Sequence, residues 1–99
     1  MDLEAKITAL RQIGVGALVN QTLDKIIELE LRRLIDVQEN LAKDLAEFEK
    51  RYQLSSEECY RRFESGELGD AADFFEWTGI YEVYQSNELT LQQLKEILK

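Results

Sequence analysis

The spacing of apolar residues divides the chain into helical stretches separated by short glycine-bearing turns. Leu3, Ile7, Leu10 and Ile13 recur at intervals of 4, 3 and 3, which places them on one face of a helix. Gly14-Val15-Gly16 follows. Glycine accepts the backbone shapes that end helices, so the first helix is predicted over about 3–13. Ile27, Leu31, Leu34, Leu41, Leu45, Phe48 and Tyr52 then fall at spacings of 4, 3, 7, 4, 3 and 4. This is a heptad seam with Gln38 as its polar member, and it predicts one long helix over about 18–52. Leu23, Ile26 and Val37 widen the stripe beyond a two-stranded seam, as a helix in a globular bundle requires. At ~1.5 Å per residue such a helix is on the order of 50 Å long. It needs a second element along its length. Two candidates fit: the last helix folded back within the chain, or a second copy of the chain.

Residues 53–56 read as a turn. Ser55 and Glu58 make an S-x-x-E capping box for a short helix over about 56–65, which Gly66 ends. Gly66-Glu67-Leu68-Gly69 leads into a last helix over about 70–98, with Asp70 as its cap and Asp73 at its third position. Phe74, Trp77, Tyr81 and Tyr84 recur at 3, 4 and 3 and form an aromatic stripe, broadened by Phe75, Ile80 and Val83. The pattern loses phase near Ser86-Asn87, where Thr90 and Gln93 offer a second capping box. Two forms of the last helix therefore stand open, one continuous and one kinked or restarted near 86–90. The predicted fold class is all-α: a small helical bundle or helical hairpin forming a single domain over 1–99.

Composition strengthens this picture. The chain has no proline, although average usage is about 5%, and proline is what breaks helix interiors. A hydrophobic content of 44% suits a globular chain and not a disordered one. Ninety-nine residues can bury one modest core. Charge narrows the partners. Twelve basic and twenty acidic side chains give −8, and between Glu57 and Glu88 nine acids face only Arg61 and Arg62. DNA binding draws on Lys and Arg. Arg32-Arg33 and Lys50-Arg51 are instead absorbed by helical pairs such as Glu28 with Arg32 and Glu47 with Arg51. The expectation is no nucleic acid for the chain on its own, and a basic partner. Cys59 is the single cysteine, which forbids an intrachain disulfide and fits a reducing compartment. The opening MDLEAKITALRQ lacks an apolar core of signal-peptide length, and no stretch nears about eighteen apolar residues. A cytoplasmic protein without membrane contact is expected.

Candidate chemistry gathers at Glu67, Asp70, Asp73 and Glu76, spaced by three. Residues three apart on a helix are neighbours, and hard cations take oxygen ligands. The alternating D-x-D-x-D-G of a calcium loop is missing. With no histidine, the Glu-x-x-His of di-iron bundles is excluded and the usual near-neutral acid/base is absent. Acids at a helix start stabilise its dipole by about a few tenths of a kcal/mol each, which explains most of the cluster without a metal. Arg61 and Arg62 could lower the Cys59 pKa, yet a lone helical cysteine more often fills a core. There is no phosphate-binding glycine loop. No enzyme and no cofactor are expected. The aromatic stripe is most often core, and it can serve an interface as well, where tyrosine and tryptophan are favoured anchors.

The run YRRFESGELGDAADFFEWTGIYEVY resembles a group of small acidic helical prokaryotic proteins with the pattern F-x-x-G-E-L-G-D-x-x-D-F-x-E-W. Phe63, Gly66, Glu67, Leu68, Gly69, Asp70, Asp73, Phe74, Glu76 and Trp77 carry the match, and the resemblance extends over about 24–84. It implies an antitoxin-like partner in a toxin–antitoxin locus, bound to a cognate toxin-like protein from a neighbouring gene. No catalytic or ligand residues come with it. The functional expectation is a non-catalytic protein-binding module that masks its partner by helix packing and acidic complementarity. Its anchors would be Phe74, Phe75, Trp77, Tyr81 and Tyr84, with negative potential from Glu67, Asp70, Asp73 and Glu76. The segment 86–99 would be an arm that orders on the partner. The alternatives are a metal-dependent carboxylate enzyme at Glu67–Glu76, or a self-assembling helical scaffold whose long helix makes a homo-oligomer.

Overall fold

Asp2 starts the first helix: its carboxylate accepts the Ala5 N–H at 2.8 Å. In the computed structural model, which describes residues 1–69 and 71–99, α1 spans Leu3–Gln12, α2 Gly16–Tyr52, α3 Ser56–Glu64 and α4 Ala72–Ile97. The described residues are helices and short connections, so the chain is all-α, as the periodicity requires. Gly14 turns the chain between α1 and α2 at φ +94°, a region that excludes most side chains. α2 ends on Gln53 in the left-handed conformation, whose N–H reaches the Glu49 carbonyl.

The α2–α3 corner is capped by two helices together. The Ser55 hydroxyl accepts the Glu58 N–H at 3.1 Å, which is one half of the predicted capping box. The other half is replaced. The Glu58 carboxylate turns to Arg61 and Arg62, and the Glu49 carboxylate from α2 accepts the Ser56 N–H at 2.8 Å. One of the free amides at the start of α3 is thus satisfied from the preceding helix.

α4 folds back antiparallel to the second half of α2. Arg51 meets Asp73 at one end, and Gln38 meets Tyr84, Asn87 and Glu88 further along. The seam of α2 is therefore closed within the chain. Gln38 is buried with a full set of partners. Its amide donates to the Tyr84 carbonyl and the Glu88 carboxylate, both at 2.9 Å, while its oxygen accepts from Asn87 at 2.8 Å. A buried polar group costs little only when so satisfied.

Several expectations need correction. Of the two open forms of the last helix the continuous one holds, and only the second capping box is wrong: Thr90 donates to the Ser86 carbonyl inside α4 and caps nothing. The segment after Ser86 is not a free arm, since Leu91 is buried. The helix starts at Ala72 with Ala71 in the cap position, so Asp73 is its second residue; Asp70 lies outside the described residues. The pairs Glu28–Arg32 and Glu47–Arg51 do not form. Glu28 pairs with Lys25, and Arg51 goes to Asp73 and lies over the Phe48 ring at 5.5 Å.

The core sits at the α2–α3–α4 end: Leu45, Phe48, Cys59 and Trp77, flanked by Leu54, Leu68, Phe74, Ile80, Tyr81 and Tyr84. α1 contributes no buried residue. Among the described residues, no helix is long and apolar enough to cross a membrane.

Candidate functional site

Trp77 organises the acidic–aromatic corner by being inside it. Its ring stacks on Phe48 at 5.5 Å and on Tyr52 at 5.7 Å. A buried indole N–H needs an acceptor, and the Ser56 hydroxyl supplies it at 2.8 Å. Phe74 closes the stack from Tyr52 at 5.2 Å. Cys59 is fully buried, and burial pushes its thiol pKa up, away from nucleophilic character.

The predicted site residues separate into two groups. Trp77 is fully enclosed; Phe74, Tyr81 and Tyr84 are half-buried against it. They hold α4 on α2 and α3. Phe75 points the other way, 57% exposed, with its ring edge-on to Phe63 of α3 at 5.0 Å. Asp73 is tied down: it accepts from the Tyr52 hydroxyl and from Arg51 at 3.2 Å. These donors, Tyr52 first, lower the Asp73 pKa, and the carboxylate in turn raises that of Tyr52. Glu67 is exposed with Arg62 4.0 Å away. Glu76 is exposed beside an open groove of about 220 Å³ lined by Asp44, Glu47, Phe48 and Arg51. Among the described residues, no three acidic or thiol side chains converge closely enough to hold a metal ion.

Sequence reasoning missed two features. The first is the α2 contribution: Asp44 and Glu47 add carboxylates to the Glu76 groove from a helix about thirty residues away in sequence. Spacing within one helix carries no signal for that. The second is Gly79. It lies mid-helix on the outer face of α4, and a methyl group there would meet nothing within 4 Å. Glycine in a helix interior costs roughly 0.5–1 kcal/mol against alanine, and nothing in the packing of the described residues requires it. Phe75 and Val83 stand four residues to either side, 57% and 51% exposed. The signal was present as F-x-x-x-G-x-x-x-V.

The outer face of α4 is therefore an apolar stripe with a notch, Phe75–Gly79–Val83, rimmed by Glu76 and Glu82. Glu82 is fixed by the Tyr60 hydroxyl at 2.8 Å. Such a face can receive a helix or strand edge and present carboxylates to basic groups around it. Comparison with protein-family models, with curated proteins and with solved structures gave no match.

Proposed function

We propose that this chain is a non-catalytic binding protein of antitoxin type, which masks a basic partner protein by packing the outer face of α4 against it. The observation that carries the reading is the exposed Phe75–Gly79–Val83 stripe within an acidic rim. Interfaces draw most of their energy from a few aromatic and apolar anchors, surrounded by a polar rim that excludes water. Phe75 is the aromatic anchor that stays accessible, Gly79 lets a partner backbone come close, and Glu67, Glu76 and Glu82 steer a basic surface towards the stripe. Trp77, Phe74, Tyr81 and Tyr84 act beneath it, fixing the helix that presents it. The partner class is the product of a neighbouring gene, as the resemblance to antitoxin-like proteins implies.

Co-expression with that product, followed by size exclusion and a growth assay, tests the reading. The expected outcome is a co-eluting complex and rescue of growth. Phe75→Ala weakens the complex by about 2 kcal/mol or more, the range of an anchor. Gly79→Ala stabilises the free chain by roughly 0.5–1 kcal/mol while weakening the complex. No co-elution and no rescue would end the proposal.

A further inference from the structure

We infer that α1 and residues 16–26 of α2 form the docking face for a second copy of this chain. The antiparallel register, with Arg51 at Asp73 and Gln38 at Asn87, brings the end of α4 at Ile97 level with Ile27 and Glu28. Everything on α2 before that point lies beyond the reach of α4 and has α1 alone beside it. α1 buries no residue of its own. Leu3, Leu10, Ile13, Leu18, Leu23 and Ile26 are all exposed there, Ile13 by 74%. Between the two helices runs a groove of about 410 Å³ lined by Ile7, Val19 and Leu23.

The amount of surface points to a partner of this size. The chain exposes 7318 Å². A compact monomer of 11.5 kDa exposes about 5,800 Å² by the usual scaling with mass. The excess is about 1,500 Å² per copy. Covering only part of it on each of two copies already reaches the area of a standard stable interface, about 1,600 Å² in total. The radius of gyration agrees: 19.9 Å, against about 13 Å for a compact chain of this length.

Charge identifies the occupant. Residues 1–27 carry three acids, Asp2, Glu4 and Asp24, and three bases, Lys6, Arg11 and Lys25, so they are neutral. Residues 28–99 carry the whole −8. A basic partner gains nothing from the neutral end. The acidic excess lies in residues 52–88, where nine acids stand against Arg61 and Arg62, so a second copy meets its main repulsion there and no net repulsion at residues 1–27. A two-fold pairing is self-complementary, and two α1–α2 pairs stacked face to face make a four-helix arrangement with a common apolar centre. This inference stands apart from the antitoxin-type reading, because it concerns the chain alone.

Light scattering coupled to size exclusion, on the full chain at micromolar concentration, tests it. The expected mass is about 23 kDa, twice 11.5 kDa. The double variant L18E/I26E halves that mass and keeps the helical circular dichroism, since both side chains already face solvent in one copy. Phe75→Glu, at the opposite end, leaves the dimer intact. Should L18E/I26E lose helicity, Ile13→Lys in the α1–α2 turn gives the same reading. A monomeric unaltered chain overturns the inference. So does a dimer that survives both the L18E/I26E and Ile13→Lys changes, or one that yields to Phe75→Glu.

Discussion

Glu58 faces two guanidinium groups, Arg61 at 2.6 Å and Arg62 at 3.0 Å. Their hydrogen bonds hold its pKa at about 2, well below the ordinary 4.5. A depressed carboxylate pKa adds stability that is present above the unfolded-state value and is lost as pH falls through the folded one. The Glu58 contribution is therefore complete above about 4.5 and disappears as pH falls through about 2. Its size is modest, because the group is solvent-screened. Urea titrations of the chain and its Glu58→Gln variant should differ at neutral pH, converge below about 4.5, and coincide near 2. A difference that stays constant with pH would show that Glu58 acts through packing. At this scale the sequence was partly legible. Ser55 reads as a cap because its partner is three residues away. Glu49 on Ser56, or Ser56 on Trp77, does not, because the partner arrives only when helices meet. Gln38 stood out as the polar member of an apolar seam, but its three partners all lie on α4.

Helix positions were the most legible feature, since apolar period, glycine and capping residues all act locally. The long helix, the short helix and the last helix occur where the periodicity places them, with ends shifted by a residue or two. The misleading element was α4. Its first half packs against both α3, through Tyr60–Tyr81 and Tyr60–Glu82, and α2, through Trp77. Its second half lies beyond the short α3 and packs on α2. The apolar face therefore changes direction near Ser86, which reads in one dimension as a loss of phase and in three as one continuous helix. The consequence is testable. Leu91 is 7% exposed in the turns that the pattern had marked as a separable arm. Leu91→Ala should lower unfolding stability by about 2–4 kcal/mol, the lower part of the range for a core leucine, measured by urea denaturation. A loss below about 0.5 kcal/mol, the level of an ordinary surface change, would mean that these turns detach in solution.

Taken as a whole, the molecule is a rod of 61 × 22 × 20 Å whose two ends differ in kind. One end is neutral and apolar, made by α1 and the start of α2; the other is acidic, with Phe48 and Trp77 buried among partly covered rings and Phe75 the most exposed of its aromatic residues. The charge part of this separation can be counted along the sequence; the apolar part was hidden. Apolar content is a sum over the chain, and only the register of α4 on α2 shows which apolar residues remain uncovered. The two proposed contacts should therefore answer oppositely to salt. Charges further apart than about 10 Å are largely screened at 0.1 M salt, and α2 alone spans about 55 Å at ~1.5 Å per residue. The acidic end cannot reach the neutral one. Raising sodium chloride from low to high concentration should weaken the partner complex, chiefly through slower association. The dimer should hold or tighten, because its burial is apolar and residual repulsion between the −8 copies is screened. Both constants can be followed by sedimentation velocity across a salt series, with a two-to-two assembly at low salt. A dimer that dissociates in step with the partner complex would mean that a single charged surface serves both contacts.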